Sequence, residues 1–380
     1  MRKSILLFFA FFLFASNLWA QDQANLQKQI DKIIHYDTKI DLSETPGFII
    51  GVKYQDSVFF YGYGSISKDF KQVPDENTIF EIGGLTKTFT SSLVSILVEE
   101  GKMDFEKPLN DYLPAAEKNE VTQQITIDQL LTHTSRLPRM PLEFGVKEIE
   151  KNNPYAHYTK QDLMEFYKDY IPLEPKKKKK QKRRNQKKKN TDNYSYSHLN
   201  YALAEVAIES SQNTSFEKLL TDKILDPINM SDTRIELSEN QKTRLAVGYT
   251  TSGQSTPPWT FQSFKASEGL KSTAKDLIKY AEAHMGESNS RLTKAFYTTH
   301  EGRKATNRNK KVESARGWHV ISPKKYHDII LHTGNTNGHR SYLAFVKESE
   351  TAVVILTNSE HNLYNLGYYI LRMLNNNWMK

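Results

Sequence analysis

Phe80-Glu-Ile-Gly-Gly-Leu-Thr-Lys-Thr-Phe-Thr90 is the stretch from which the rest of this chain can be read. After it, Phe89, Leu93, Ile96 and Leu97 recur at helical spacing, and Gly101 stands where such a helix would take its C-cap. The spacing predicts a helix over 85–100. Lys87 falls in its first turn, three residues after Gly84, so the two positions share one face. Gly-x-x-Lys carries no specificity by itself; its meaning comes from what surrounds it.

Upstream, residues 24–38 place Leu26, Ile30, Ile33 and Ile34 on one side of an amphipathic helix. Pro46-Gly47 then opens two apolar runs, FIIGV and SVFFYGYG, separated by KYQD, which reads as a β-hairpin. From 104 to 264 the pattern is short helices and loops, with a longer helical face through Leu199, Ala202, Leu203, Val206 and Ala207. The end of the chain is strand-rich (GWHVI, DIILH, SYLAFV, TAVVILTN) and closes with an apolar-faced helix from Tyr364 to Leu374. This order predicts an α/β chain of the α+β kind, an antiparallel sheet flanked by helices with an α-rich subdomain. The α/β part is expected over about 21–110 and 265–380, and the α-rich part over about 111–264.

The 380 residues contain no cysteine, which excludes disulfides, a thiol nucleophile and a lipid-anchoring cysteine. Arg2 and Lys3 precede a wholly apolar run from Ile5 to Ala15, and Ala20 is a cleavage point, although Leu18 departs from the small-residue rule. Residues 1–20 therefore read as a signal peptide, too short to span a bilayer comfortably, and the mature protein is expected to be secreted or periplasmic with no transmembrane segment. The net charge of +8 is misleading, because residues 176–189 hold 11 Lys and Arg and no acid. Without them the charge is −3, and without Arg2 and Lys3 as well it is −5. This is a mildly acidic body with one intensely basic loop, expected to be disordered over 175–191. Lys176, Lys180, Arg183, Arg184 and Lys188 are its candidate polyanion-binding residues, suited to anionic cell-envelope polymers by counterion release. Nucleic acid is disfavoured, since no aromatic residue interleaves the run to stack bases. The histidines lack metal-ligand spacing, and no Walker loop, Gly-x-Ser-x-Gly elbow or dinucleotide fingerprint is present. No metal or cofactor is expected.

Three further segments give the opening stretch its context. Gly101-Lys-Met-Asp-Phe-Glu-Lys-Pro-Leu-Asn-Asp-Tyr-Leu-Pro114 follows the helix, then Ile125-Thr-Ile-Asp-Gln-Leu-Leu-Thr-His-Thr-Ser135, then Gly269-Leu-Lys-Ser-Thr-Ala-Lys-Asp276. With His332-Thr333-Gly334 and Gly338, they resemble, in order and over nearly all of the mature chain, the class C β-lactamase and D-alanyl-D-alanine carboxypeptidase family. That penicillin-binding-protein-like family also includes esterases and D-aminopeptidases. The resemblance implies a β-lactamase/transpeptidase-like fold and a site of three elements. The first is Ser-x-x-Lys, which places the nucleophile at Gly84 and its lysine at Lys87. The second is Tyr-x-Asn, in which tyrosine and lysine together accept the nucleophile's proton. Tyr194 and Tyr196 compete for it, and only Tyr196 has the family's tyrosine five residues on (Tyr201) and leucine seven on (Leu203), so the element is Tyr196-Ser197-His198. The third is His332-Thr333-Gly334 on an edge strand, implying substrate contacts from Thr333 and Gly334. Backbone N–H groups of Asn335 and Gly84 would form the oxyanion hole.

Four departures qualify the implied activity. Gly84 has no side chain to attack a carbonyl. His198 replaces the asparagine that binds substrate, Arg136 replaces a turn glycine, and Glu268 replaces the glycine before Gly269. Three readings follow. One is a pseudoenzyme or strongly impaired hydrolase that keeps a cleft for a D-amino-acid-ended peptide, including peptidoglycan-derived ones, or for β-lactam- or ester-like acyl compounds. Another is an active carboxypeptidase-, esterase- or β-lactamase-type hydrolase using water or another nucleophile. The last is a polyanion-binding surface protein acting through 176–189.

Overall fold

The computed structural model describes residues 23–38, 40–41, 45–142, 144, 153–172, 194–286, 290–306, 311–323 and 326–375. Residues 1–20, expected to be a signal peptide, and the basic run 176–189 both lie outside the described residues.

The hairpin forms as β1 (Gly47–Tyr54) and β2 (Ser57–Gly64). Its ladder runs on through Lys53↔Val58 and Tyr54↔Ser57, so Lys53 and Tyr54 are strand and only Gln55-Asp56 turn, with Gln55 at φ 53°. Short strands follow at β3 (Ile79–Glu81), β4 (Gly248–Tyr249), β5 (Ser255–Thr256), β6 (Lys271–Thr273), β7 (Lys304–Ala305) and β8 (Val312–Ser314). The C-terminal strands are β9 (His319–Ile321), β10 (Ile329–Asn335), β11 (Arg340–Val346) and β12 (Thr351–Thr357). Eight of them build one antiparallel sheet in the order β2-β1-β12-β11-β10-β9-β8-β7. The four late strands expected from the sequence are thus joined by two more, β7 and β8, too brief to show a period.

Alternation along the central strands assigns the two faces. Phe48, Ile50 and Val52 of β1 and Val353 and Ile355 of β12 pack with the helix over 23–32 and with Leu366 and Ile370 of the Tyr364–Leu374 helix. Ile49, Val354 and Leu356 point the other way, into the larger core with Leu277 and Ile278 of the Ala274–Met285 helix and Phe89 and Leu93 of the Thr86–Glu99 helix. The N-terminal helix changes at Ile33–Asp37 into a π turn, where the sequence pattern reads as plain helix.

The helical half is set by its caps. Thr126 and Thr159 each form a reciprocal capping box, with Gln129 and Asp162 respectively. Ser197 caps the His198–Gln212 helix by accepting from Asn200 N–H. The Thr86–Glu99 helix grows out of a 3₁₀ turn at Gly83–Leu85 and is closed by Gly101 at φ 69°, as its spacing predicts.

Candidate active-site cleft

One cleft brings together Gly84, Tyr194, Tyr196, His198, His332, Thr333, Gly334 and Asn335, joined by Arg139, Glu268 and His319. Its floor is a close contact between two backbones. A Cβ on Gly334 would fall 1.9 Å from the Ile82 carbonyl oxygen and 2.8 Å from Gly84 N. A Cβ on Gly83, at φ 47°, would meet the backbone of Asn335 at 2.8 Å. The end of β10 therefore lies directly against the turn that starts the Thr86–Glu99 helix. Ser341 Oγ reinforces the seam by donating to Ile82 O at 2.8 Å, and Glu81 accepts from Thr336 Oγ1 at 2.7 Å.

Gly84 itself is not forced to be glycine. Its φ is ordinary, and a Cβ would have Tyr196 Oη at 3.2 Å, Thr333 O at 3.4 Å and Lys87 Nζ at 3.5 Å as its nearest neighbours. Lysine, tyrosine and β10 thus surround the position assigned to the nucleophile; β10 is an interior strand and not the expected edge strand, but its pairing with β9 stops at Leu331, before His332-Thr333-Gly334. Tyr196, not Tyr194, is the tyrosine beside residue 84; Tyr194 Oη contacts His319 Nε2 at 3.3 Å.

Tyr196 and His198 are held by a separate loop. Ser197 N donates to His133 Nδ1 at 3.1 Å, Ser197 Oγ donates to Pro138 O at 2.7 Å, and His198 N donates to Arg139 O at 2.9 Å. Ser135 Oγ donates to Asn200 Oδ1 at 2.8 Å. The His133 ring lies 4.4 Å from the Tyr196 ring, and the Arg139 guanidinium covers it at 5.2 Å. Arg136 takes φ 65°, the left-handed conformation that suits the glycine it replaces.

The decisive residue is Glu268. It ends a four-residue helix, Lys265–Glu268, laid across the Thr86–Glu99 helix, with Thr90 Oγ1 donating to Ala266 O at 2.6 Å. Its buried carboxylate oxygen accepts from Lys87 Nζ and contacts His198 Nδ1. Lys87 Nζ also donates to Ser267 O at 3.0 Å and lies 3.4 Å from His198 Nδ1. Two departures from the family pattern, Glu268 and His198, therefore meet each other and the lysine, beside a third, Gly84.

This carboxylate rearranges the protonation of the cleft. Burial alone would raise the Glu268 carboxyl, but Lys87 and His198 overcome it and hold it at about 2. Burial lowers Lys87 from its ordinary value while Glu268 opposes the shift, and at neutral pH the two form an ion pair. Burial, then Glu268, push the Tyr196 hydroxyl above its usual value, so it stays a neutral phenol. Burial, then Lys87, lower His198, leaving a neutral imidazole. His332 is held well below the histidine range, first by burial and then by His319. The proton acceptance that the resemblance implies needs Lys87's charge to serve Tyr196; here Glu268 answers that charge and itself opposes ionisation of the tyrosine.

In the sequence Glu268 reads only as a departure, and neither Arg139 and His319 as cleft residues nor His133 as the support behind Tyr196 can be recognised. The available signal was the pairing of a new carboxylate at 268 with a new imidazole at 198. Among the described residues no cluster of His, Asp and Glu is arranged to hold a metal ion, and no helix is long and apolar enough to cross a membrane.

Antiparallel sheet, helical half and cleft define the frame shared by β-lactamases and D-alanine carboxypeptidases. The Beta-lactamase family model matches residues 39–370, and the chain belongs to that family. It is 26% identical over 361 residues to a beta-lactamase of Providencia stuartii, a match spanning 87% of this chain and 86% of the relative. A class C beta-lactamase mutant superposes with TM-score 0.76 at 20% identity, covering 94% of this chain and 98% of that one. A beta-lactamase/D-alanine carboxypeptidase from Pseudomonas syringae gives TM-score 0.74 at 20% identity, covering 92% and 99%.

Proposed function

We propose that this is an exported beta-lactamase-family protein whose cleft recognises an acyl compound without forming a covalent acyl-enzyme. The ligand class is a D-amino-acid-ended peptide, or a β-lactam- or ester-like equivalent. The observation that carries the reading is the Glu268 carboxylate on Lys87 and His198 beside Gly84. Loss of a nucleophile leaves a lysine poised for a proton it no longer receives; a buried carboxylate on that lysine removes the second requirement of acyl transfer. The close backbone seam between Gly84 and β10 is kept, which supports a retained place for a carbonyl oxygen. The N-terminal apolar stretch supports export.

Fluorescent penicillin tests this. Wild-type protein stays unlabelled, and Gly84→Ser alone labels weakly, because Glu268 still holds Lys87. The double variant Gly84→Ser, Glu268→Gly labels strongly, with folding checked by circular dichroism. Covalent labelling of the wild type in the cleft would overturn the reading. Labelling of Gly84→Ser equal to that of the double variant would remove Glu268 from it.

A further inference from the structure

We infer that the cleft carries a weak, non-covalent hydrolytic activity toward activated acyl compounds, in which His198, oriented by Glu268, draws the proton from an attacking water. The inference rests on the reading that the cleft binds such compounds, and it assigns to two unrelated departures from the family pattern a single joint role.

The geometry is that of an oriented imidazole. Nδ1 of His198 contacts the Glu268 carboxylate, which is fixed in turn by Lys87 Nζ. A carboxylate accepts only, so Nδ1 carries the proton and donates it, and Nε2 presents its lone pair. Nδ1 faces the buried ion pair, so the ring edge left to the cleft is the one bearing Nε2, which has no hydrogen bond to a described residue. The side chain keeps 12% of its surface exposed and lines the cleft with Gly84 and Asn335. The backbone N–H of His198 is tied to Arg139 O at 2.9 Å, so the ring starts from a fixed helix end.

The other groups that could take a proton are engaged or shielded by burial. Tyr196 is held as a neutral phenol and Lys87 is paired. His133 uses Nδ1 to accept from Ser197 N, and His319 contacts the Tyr194 hydroxyl. His332 also lines the cleft and its Nδ1 has no hydrogen-bond partner, but it is only 2% exposed, against 12% for the His198 side chain. A glutamate buried to this degree is costly without partners, and here one of its two partners, His198, lines the cleft.

The step balances without any further reactant. A water, occupying the side of Gly84 where a serine oxygen would stand, bonds its oxygen to the substrate carbonyl carbon as its proton passes to His198 Nε2. The carbonyl electron pair moves onto oxygen, facing the N–H groups of Gly84 and Asn335. Collapse expels the alkoxide, which takes the proton back from the imidazolium, releasing acid and alcohol. Lys87 and Glu268 stay an ion pair throughout.

The test is hydrolysis of p-nitrophenyl acetate by full-length protein, wild type against His198→Asn and Glu268→Gln. His198→Asn installs the residue type the family pattern expects, and thermal melts of both variants report folding. A positioned general base contributes roughly 10²–10⁴-fold, so each variant is expected to lose at least about tenfold of the rate above buffer. The wild-type rate should rise with pH through a midpoint below the ordinary histidine value of about 6.5. The charged and titratable groups facing His198 are Lys87, Glu268, Arg139 and Tyr196, with His133 behind the tyrosine. Glu268 raises the His198 midpoint against the other two charges, so Glu268→Gln should move it to lower pH, a change a merely structural glutamate would not produce. Intact mass should show no acetyl adduct during turnover. A wild-type rate no greater than that of His198→Asn, or an acetyl adduct in the cleft, would overturn the inference. Calorimetric titration of the wild type with benzylpenicillin separates the two claims. Binding without esterase activity overturns the inference and leaves the proposed function standing, whereas absence of both binding and turnover overturns both.

Discussion

Two buried glutamates flank the same short helix and end on opposite sides of the ordinary carboxylate range. Glu268 closes the Lys265–Glu268 helix and is held at about 2. Glu205, in the middle of the His198–Gln212 helix, accepts from Ala266 N at 2.9 Å and is raised to about 7. Both are almost fully buried, at 3% and 7% exposure. Desolvation therefore pushes both upward; what separates them is the company each keeps. Glu205 has one backbone dipole in contact and the like charge of Glu209 nearby, whereas Glu268 has an ammonium and an imidazole. Depth of burial says little about whether a carboxylate is part of a site. A full cation in contact, on a wall of a cleft, says much more.

The strongest way to break the contrast is to turn Glu268 into a second Glu205. Lys87→Met removes the cation and leaves the carboxylate buried, and breaking such a pair costs about 3–5 kcal/mol. Urea denaturation at pH 7 should show that loss, and it should shrink toward pH 4 as Glu268, its pKa now raised, takes up a proton. In the wild type the sign is opposite. Glu268's folded pKa lies below the unfolded carboxylate value, so its contribution is present above that value and lost only as pH falls toward 2.

Glu205 supplies the next largest effect. Its folded pKa lies above the unfolded value, so the stability it contributes is complete below the unfolded value and lost as pH rises through about 7. Glu205→Gln keeps an acceptor for Ala266 N without the charge. It should stabilise the protein by up to about 3 kcal/mol at pH 8, and denaturation at pH 5 should show that gain gone. The smallest effect extends the comparison to a buried imidazole. His339 is lowered to about 3 by burial, then Lys271, and its Nδ1 has no hydrogen-bond partner. A base with a depressed folded pKa contributes stability above the unfolded value and loses it as pH falls below. Between pH 7 and pH 6 this costs about 0.7 kcal/mol, and His339→Gln should lose that much less stability over the same interval.

Much of the frame was legible in the sequence because it rests on local periodicity. The hairpin, the Thr86–Glu99 helix with its glycine cap, the strands at the C-terminal end and the Tyr364–Leu374 helix all announce themselves by spacing. The backbone half of the cleft was legible too, through the motifs around Gly84 and His332. The contact between Lys87 and Glu268 was not, since 181 residues separate them and no periodicity connects a helix start to a distant turn. Glu268 and His198 each read as a lost family residue; only their convergence on one lysine gives them a common meaning. Arg139 was hidden for a similar reason: it reaches the cleft only because its carbonyl is tied to the start of the His198–Gln212 helix. The two-residue edge strand β7 was too short for any pattern to mark.

The fastening of residues 195–200 to the 133–139 loop has one more consequence. Ser195 N donates to His133 O at 2.8 Å, and every anchor of Tyr196 and His198 lies on the far side of that bond from residues 173–193. The attachment works as a strain relief, like the clamp that keeps a tug on a cable from reaching its terminals. Whatever length or composition the chain acquires before Tyr194, the placement of Tyr196 and His198 is set after it. That makes the position a natural splice point, where evolution can lengthen the chain, or an experimenter can insert a tag, without moving Tyr196 and His198.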